Sequence, residues 1–215
     1  MLRELNSMFA SLIRNMGGAL GRRLRYYYYR GRMKSCGVNI RIDEGVFFEG
    51  VRSISLGSNV WIDKHCVLIA GRINQDALVS SKSVGQNDEV KSGDMLIGNN
   101  VHLGISTVIQ AHGGVKIGNH FTSGPGSKIY SFSNDVRKSK AGTHGEGDKY
   151  YVLSPIVIHD NVWLGMNTSV FGGVIGKNSF IMPNSYVIES IESNSIAKGS
   201  PAVKISNRFE DDTIS

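Results

Sequence analysis

The sequence has 215 residues, of which 40% are hydrophobic and 20% are charged, with only four prolines. This composition excludes a low-complexity disordered chain and favours one folded unit with an extended core. Glycine is enriched, at 26 residues, but no Gly-X-Y period occurs. A collagen-like structure is therefore excluded, and an all-β chain with many tight turns is expected.

The positive charge of the chain is concentrated at its N-terminus. The formal net charge is +6, and residues 1–34 hold eight cations and one anion, Glu4. The remaining 181 residues carry 16 cations and 17 anions. Because this larger part is close to neutral, nucleic acid is not an expected partner.

Residues 1–35 are predicted to form a basic, amphipathic helical arm. Apolar residues from Leu5 to Met16 recur at helical spacing, Gly17 and Gly18 interrupt the pattern, and the segment RRLRYYYYRGR follows from Arg22. Two interpretations remain open. The arm caps the open end of the fold that follows, or its arginines and aromatic rings contact phospholipid headgroups or a polyanionic sugar chain.

Cys36 and Cys66 occur without an apolar signal segment before them, and the longest early apolar run, MFASLI, ends at Arg14. This pattern favours a reduced, cytoplasmic location, and the run is too short to span a bilayer. We interpret both cysteines as small residues of the core.

A six-residue period dominates the chain from residue 56 to residue 187. Residues predicted to point inward stand six positions apart within each run: Leu56, Ile62, Leu68; Ile97, Leu103, Ile109; Ile117, Ser123, Ile129; Ile158, Leu164, Val170; and Ile175, Ile181, Val187. A small or β-branched residue often stands two positions earlier: Val60, Cys66, Val101, Thr107, Ser127, Val162, Thr168, Ser179 and Ser185. Such a period is typical of short strands joined by corners where Gly or Asn adopts left-handed backbone angles. Three strands close one triangular coil of about eighteen residues, and stacked coils lie about 4.8 Å apart.

The hexads with Asn-rich corners, the NVWLG segment at residues 161–165 and the ending AKGSPAVKI at residues 197–205 resemble the hexapeptide-repeat acyltransferases. The resemblance covers residues 37–206. It implies a left-handed parallel β-helix over residues 36–206, followed by a C-terminal tail at 207–215. The stretches RYYYYRGRMKSCG and IGNHFTSGPGSKIYSFSND are most similar to bacterial sugar and polysaccharide O-acetyltransferases, including the capsular polysialic acid enzymes.

Two stretches interrupt the repeat, at residues 70–96 and at about 131–155. Long excursions from a regular solenoid are often functional. The second excursion resembles the active-site loop of the family, and we expect Asn134, Tyr150 and Tyr151 to contact the acceptor there. The two tyrosines could stack on the face of a sugar.

Acetyl transfer to a hydroxyl needs a base, for which histidine is suited near neutral pH. The resemblance implies a catalytic histidine shortly after the end of a strand. At the corresponding position this chain has Asn134, and an asparagine side chain cannot accept a proton. We predict that His120 is the base, because a corner position points its ring outward and because it matches the base of the polysialic acid enzymes. His144, in the second excursion, is the second candidate and could order the acceptor. We interpret His102 and His112 as structural residues at other corners.

The resemblance implies acetyl-CoA as the donor, no metal, and a homotrimer with the donor groove between neighbouring subunits. The residues expected to bind the donor are Trp163, Gly165, Ser169, Gly172 and Gly173 along the pantetheine, and Lys198, Gly199, Pro201, Ala202 and Lys204 in the terminal coil. The backbone and cations of this coil would hold the adenosine phosphates.

The predicted function is O-acetylation of a cell-surface polysaccharide, with a carbohydrate acceptor and catalysis in the cytoplasm. The basic arm is a candidate for peripheral contact with the membrane. The alternatives are a sugar-nucleotide N-acetyltransferase, an antibiotic-modifying acetyltransferase, a zinc enzyme like the β-helical carbonic anhydrases, and a non-catalytic sugar-binding solenoid. The zinc enzymes have a closely spaced HxxxxH pair, whereas His112 and His120 stand eight positions apart.

Overall fold

A computed structural model describes residues 2–73, 78–81, 89–138 and 150–210. Within these ranges, helices α1 (Leu2–Arg14) and α2 (Gly18–Arg30) precede a series of short strands, with one 3-10 turn at Val51–Ser53. In chain order the strands are β1 (Ser35–Cys36), β2 (Arg41–Ile42), β3 (Phe47–Glu49), β4 (Ile54–Leu56), β5 (Val60–Ile62), β6 (Val67–Ile69), β7 (Leu78–Ser81), β8 (Met95–Ile97), β9 (Val101–Leu103), β10 (Val108–Gln110), β11 (Val115–Ile117), β12 (Thr122–Ser123), β13 (Lys128–Tyr130), β14 (Phe132–Asn134), β15 (Tyr150–Leu153), β16 (Ile156–Ile158), β17 (Trp163–Leu164), β18 (Ser169–Val170), β19 (Gly173–Ile175), β20 (Phe180–Ile181), β21 (Tyr186–Val187), β22 (Ser195–Gly199) and β23 (Ala202–Asn207).

Three sheets form the walls of a triangular prism. Sheet A has the order β1-β4-β8-β11-β16-β19, sheet B the order β2-β5-β9-β12-β17-β20-β22-β23, and sheet C the order β3-β6-β10-β13-β18-β21. The strands pair in parallel, except that β22 and β23 form an antiparallel hairpin. Because the chain visits sheets A, B and C in turn, each coil adds one strand to each wall. The fold is the predicted left-handed parallel β-helix.

The core follows the six-residue period. Every inward position predicted from the period is buried, with at most 4% of its surface exposed, and the small or β-branched residues that precede these positions are buried as well. The buried hydroxyl groups have partners inside the coil: Thr107 Oγ1 donates to the Gly104 carbonyl at 2.7 Å, and Thr168 Oγ1 donates to the Gly165 carbonyl at 2.8 Å. Polar residues are tolerated in the core because their hydrogen bonds are satisfied there.

Two of the three edges of the prism are regular. The edge between sheets A and B, the A–B edge, stacks left-handed residues with φ between 53° and 62°: Asn39, Asn59, Asn100, His120, Asn161, Asn178 and Asn194. The edge between sheets B and C, the B–C edge, stacks Gly45, His65, Ser106, Gly126, Asn167 and Asn184, all with positive φ. Asparagine and glycine are favoured at these corners because both tolerate left-handed backbone angles.

The third edge, the C–A edge, is irregular, because both excursions leave the prism there. The first lies between β6 and β8, and the second between β13 and β16. Strand β14 pairs antiparallel with β15, and β15 pairs in parallel with β7. The two excursions are thus joined in one small sheet outside the prism.

The helical arm packs on the first coil. Tyr29 and Met33 belong to the core cluster, and the Tyr29 ring lies 4.5 Å from that of Phe48. Arg25 is only 1% exposed, and its guanidinium donates to the carbonyls of Ile13, Met16 and Ile42. The first two carbonyls belong to the end of α1 and the turn after it, where backbone acceptors lack partners within the helix.

The outer surface of the arm is apolar as well as basic. Its exposed large side chains are Met8, Phe9, Leu12, Leu20 and Tyr27. Neither of the two described helices has the length and hydropathy of a membrane-spanning segment.

Candidate functional site

His120 lies at the A–B edge, between strands β11 and β12. Its φ is 56°, its backbone N–H donates to the Asn99 carbonyl at 2.9 Å, and its side chain is exposed. The outward direction predicted for this ring agrees with its exposure. Among the described residues, no hydrogen bond fixes the imidazole.

His120 also interrupts a ladder of asparagine side chains along the same edge. On one side Asn59 Nδ2 donates to Asn100 Oδ1 at 3.0 Å, and on the other Asn161 Nδ2 donates to Asn178 Oδ1 at 2.9 Å. The imidazole stands at the level between Asn100 and Asn161, where the regular pattern would have another asparagine.

Strand β12 of sheet B begins two residues after His120. The outer face of this sheet carries a row of aromatic side chains. Thr122 pairs with His102 on one side and with Trp163 on the other. His102 stacks on Trp61 at 4.8 Å, and its Nε2 lies 3.1 Å from Asp63 Oδ2. Our interpretation of His102 as a corner residue is wrong, because it lies in the middle of β9 and faces outward.

His112 lies at the C–A edge, in the short turn between β10 and β11. In the stack of coils, this turn lies one coil after the first excursion and one coil before the second. The Nδ1 atom of His112 is 2.7 Å from the Gly71 carbonyl, at the base of the first excursion. The ring is half-buried and meets the ring of Phe132, in the second excursion, edge-on at 5.2 Å. Phe132 in turn contacts Tyr151 at 4.9 Å.

The turn that carries His112 is held to the second excursion by Ser131. The Gly113 N–H donates to Ser131 Oγ at 2.9 Å, and this hydroxyl donates to the Gln110 carbonyl at 2.9 Å. A Cβ atom on Gly113 would lie 2.1 Å from the Ser131 carbonyl oxygen, so only glycine allows this close approach.

The predicted acceptor residues lie at this same C–A edge. Asn134 ends β14, where it is exposed and pairs with Tyr151 of β15. Tyr150 and Tyr151 are half-buried, and the Lys138 ammonium lies 5.6 Å from the centre of the Tyr150 ring. The other predicted catalytic residue, His144, lies outside the described residues.

The predicted donor-binding residues are spread over several walls. Trp163 is 50% exposed on sheet B, Ser169 is half-buried on sheet C, and Gly165, Gly172 and Gly173 are buried. Gly172 is next to the base of the second excursion, since a Cβ atom there would lie 2.9 Å from that of Ser154. The three glycines therefore shape the backbone of the coil and do not expose a surface within one chain.

The terminal residues form the hairpin of β22 and β23. Lys198, Gly199, Pro201 and Lys204 are exposed, whereas Ala202 is buried. The Ser200–Pro201 peptide bond is cis, and Lys204 Nζ lies 3.4 Å from Glu192 Oε2.

Thus a single chain does not bring all predicted site residues together. His120 lies at the A–B edge, and Asn134, Tyr150 and Tyr151 lie at the C–A edge, on the far side of sheet A. Sequence reasoning also missed the contacts that join His112, Phe132 and Tyr151. The available signal was that the AHGG turn breaks the six-residue period between the two excursions.

Burial and ion pairing shift the pKa of a few groups outside this cluster. Burial raises the pKa of the Cys66 thiol to about 12. The hydrogen bond from Lys116 lowers the pKa of Glu89 below its ordinary value. Among the described residues, no group of three or more histidine, cysteine or acidic side chains is arranged to hold a metal ion.

Sequence comparison finds acetyltransferases among the similar proteins. A putative acetyltransferase of Saccharomyces cerevisiae is 34% identical over 123 residues, which cover 56% of this chain and 59% of the yeast protein. An Escherichia coli dTDP-4-amino-4,6-dideoxy-D-glucose acyltransferase is 26% identical over 189 residues, which cover 81% of this chain and 82% of that protein. A galactoside O-acetyltransferase of Lactococcus lactis matches over 52% of its own length, so the chain spans only about half of some relatives. No family model matches the chain.

Solved structures match over most of the chain. AntD, an N-acyltransferase from Bacillus cereus solved with dTDP and coenzyme A, has a TM-score of 0.69 at 20% identity and covers 86% of this chain and 90% of its own. A hexapeptide-repeat acetyltransferase from Vibrio cholerae has a TM-score of 0.58 at 19% identity, covering 97% of this chain and 92% of its own. The fold is that of the hexapeptide-repeat acyltransferases. At these identities the likeness to the solved structures establishes the architecture alone.

Proposed function

We propose that the protein transfers an acetyl group from acetyl-CoA to a hydroxyl of a carbohydrate. The observation that carries this proposal is the C–A edge of the hexapeptide-repeat prism, where two excursions place an imidazole beside a wall of aromatic rings. Aromatic faces suit the apolar faces of sugars, and an imidazole suits proton removal near neutral pH. The similarity to acetyltransferases and the coenzyme A in the AntD structure support this reading.

The transfer replaces the C–S bond of the thioester by a C–O bond and moves one proton from the acceptor oxygen to the sulfur. The acceptor oxygen attacks the thioester carbonyl carbon while a base removes the hydroxyl proton, and the C–S bond then breaks. The base then passes the proton to the sulfur, so that the products are an acetyl ester and coenzyme A with a free thiol. Backbone N–H groups are the usual donors to the oxyanion that forms between these steps.

His120 is the base predicted from the sequence, and its exposure would let a substrate approach it. It lies at a different edge from Asn134, Tyr150 and Tyr151. The proposed donor residues Trp163, Lys198 and Lys204 belong to sheet B, which is the wall opposite the C–A edge. Donor and acceptor residues can therefore share one site only across a subunit boundary. Two different surfaces of the same chain meet in a head-to-tail interface, which closes in a ring such as a trimer. We therefore propose a homotrimer whose sites lie between subunits.

The donor would lie along the surface that leads from Trp163 and Ser169 towards the terminal hairpin. Lys198 and Lys204 are exposed cations there, and such side chains can pair with the phosphates of coenzyme A. The exposed residues Gly199 and Pro201 would contact the adenosine end, while the buried Ala202 belongs to the core cluster.

For the acceptor we propose a cell-surface polysaccharide, modified in the cytoplasm before export, with sialic-acid polymers among the candidates. A sugar-nucleotide N-acetyltransferase is a second candidate, favoured by the similarity to the Escherichia coli aminosugar acyltransferase over 81% of this chain. An amine needs less help from a base than a hydroxyl does, so the two candidates differ in how strongly the rate depends on histidine.

The arm is proposed to place the enzyme at the cytoplasmic surface of the membrane. Its exposed Met8, Leu12 and Leu20 side chains, together with the exposed Arg22, Arg23, Arg30 and Arg32, have the composition of a helix that lies on an anionic bilayer. Full-length protein should sediment with vesicles of phosphatidylcholine and phosphatidylglycerol but not with phosphatidylcholine alone. The variant L12E should reduce sedimentation, and equal sedimentation of L12E and wild type would contradict this placement.

The function is tested by incubating the protein with radiolabelled acetyl-CoA and a panel of acceptors that includes capsular glycans, sialic acid polymers and dTDP-aminosugars. We expect label in a carbohydrate, released by alkaline hydroxylamine because the product is an ester. Label that resists hydroxylamine would identify an amide and favour the second candidate. No transfer to any acceptor, with no binding of coenzyme A, would contradict both.

A further inference from the structure

His112 differs from the other described histidines in the way its ring is held. The inference that follows rests on the proposed acetyl transfer and concerns the residue that removes the proton. His65 and His120 are exposed at left-handed corners, and the Nε2 atom of His102 is engaged by Asp63. His159 is half-buried directly after β16, and its ring has no hydrogen bond or ring contact among the described residues. In His112 a backbone carbonyl contacts one ring nitrogen, and an aromatic ring contacts the edge of the imidazole.

The contact with Gly71 fixes the tautomer of His112. A carbonyl oxygen only accepts hydrogen bonds, so at 2.7 Å the Nδ1 atom must carry the proton. In the neutral ring the lone pair is then on Nε2. No hydrogen-bond partner for Nε2 occurs within residues 2–73, 78–81, 89–138 and 150–210. His112 thus combines a fixed orientation with a nitrogen that can accept a proton.

The surroundings of His112 also place it where an acceptor would bind. Phe132 and Tyr151 form a continuous aromatic wall from the imidazole into the second excursion. Gly113 holds the turn against Ser131 at the base of that excursion. The turn that carries the imidazole is therefore hydrogen-bonded to the base of the excursion that carries the proposed sugar-binding residues, whereas His120 lies at another edge of the prism.

We infer that His112 is the general base of the acetyl transfer. Its Nε2 atom accepts the proton of the acceptor hydroxyl as the oxygen attacks the thioester carbonyl carbon. The imidazolium then donates that proton to the sulfur as the C–S bond breaks. His112 thereby has the role that the sequence analysis assigns to His120, and the acceptor lies against the wall of Phe132 and Tyr151.

The variant H112N tests this inference. The amide of asparagine can reproduce the hydrogen bond from Nδ1 to the Gly71 carbonyl, but it offers no basic nitrogen in place of Nε2. We expect kcat/KM for the hydroxyl acceptor to fall by about 10² to 10⁴. The Kd for coenzyme A and the thermal unfolding midpoint should stay close to those of wild type. The matched control is H65N, a histidine-to-asparagine change at an exposed corner of the B–C edge, which should retain full turnover.

A second measurement separates a base from a structural residue. Added imidazole should restore part of the lost turnover to H112A, which a merely structural role would not allow. Full turnover by H112N, or a loss in H120N without a loss in H112N, would overturn the inference while leaving the proposed function intact. Wild-type protein that binds coenzyme A but acetylates no acceptor would overturn the proposed function itself.

Discussion

The regular A–B edge and the irregular C–A edge belong to the same stack of coils, yet their backbone geometry differs. Along the A–B edge each corner is a single left-handed residue. From Asn59 onward the backbone N–H of this residue donates to the coil before it, and asparagine side chains extend the ladder. Along the C–A edge the corners are replaced by turns and two excursions that form a sheet of their own. The repeat thus supplies the regular, tightly stacked part of the fold, and the proposed acetyl transfer is assigned to the edge where the repeat is interrupted.

The largest effect is expected for Cys66, which points into the prism at the B–C edge. Its Sγ donates to the Gly104 carbonyl at 3.2 Å, and burial raises its pKa from 9.0 to about 12. At pH 8 the thiolate should therefore be about 10³ times scarcer in the folded protein, because each pKa unit is a factor of ten. Iodoacetamide labelling followed by mass spectrometry should modify Cys66 only in denaturant. Rapid labelling of the native protein would show that this edge opens.

The same pKa shift predicts how stability depends on pH. The protonated thiol is favoured in the folded state, so its contribution is complete below about pH 9 and is lost as the pH rises towards about 12. The C66A variant should lack this component of the alkaline decline in the free energy of unfolding.

The next effect concerns the close stacking of the A–B edge. A Cβ atom on Gly98 would lie 2.7 Å from the backbone carbonyl of Gly118 in the next coil. We expect G98A to lower the free energy of unfolding by about 1–3 kcal/mol, the usual cost of overpacking. G31A is the matched control, because nothing lies within 4 Å of a Cβ atom there. Equal stability of the two variants would contradict the tight stacking.

A smaller effect is expected for the aromatic wall at the C–A edge. Loss of the Tyr151 ring should raise KM for the acceptor by up to about tenfold, because an aromatic stacking contact contributes about 0.5–1.5 kcal/mol. The variant Y151A should leave the Kd for coenzyme A unchanged, and Y151F should behave like wild type. A change confined to coenzyme binding would place Tyr151 in the donor site instead.

The smallest effect is expected for His120, which stands between the asparagines of the ladder at the A–B edge. Asparagine at this corner tolerates the left-handed backbone and can bond to Asn100 and Asn161. We expect H120N to raise the free energy of unfolding by about 0.5–1 kcal/mol, the net value of one such hydrogen bond. Urea denaturation would measure it. A clear loss of stability in H120N would show that the imidazole makes contacts of its own.

The sequence predicts the prism well because its signal is local. Each hexad repeats an inward residue and a corner, so burial from Leu56 to Val187 follows directly from spacing. The same reasoning could have placed His102 correctly, since it occupies the outward strand position that Trp61 and Trp163 occupy in other coils. A count from the corner residue Asn100 is enough to see this.

The C–A edge could not be predicted in the same way. Strand β7 pairs with β15 across a long stretch of sequence, and neither strand carries the six-residue period. The contact of His112 with Gly71 likewise joins residues 41 positions apart. Such contacts depend on where the excursions leave the prism, and the period contains no information about that geometry.

The most direct test of the central claim is a structure of the protein with coenzyme A and an acceptor bound. The account predicts that the acceptor hydroxyl lies about 2.6–3.2 Å from the Nε2 atom of His112, with the coenzyme sulfur close by. A complex in which the sulfur and the acceptor lie at the A–B edge, beside His120 and far from His112 of every subunit, would contradict it.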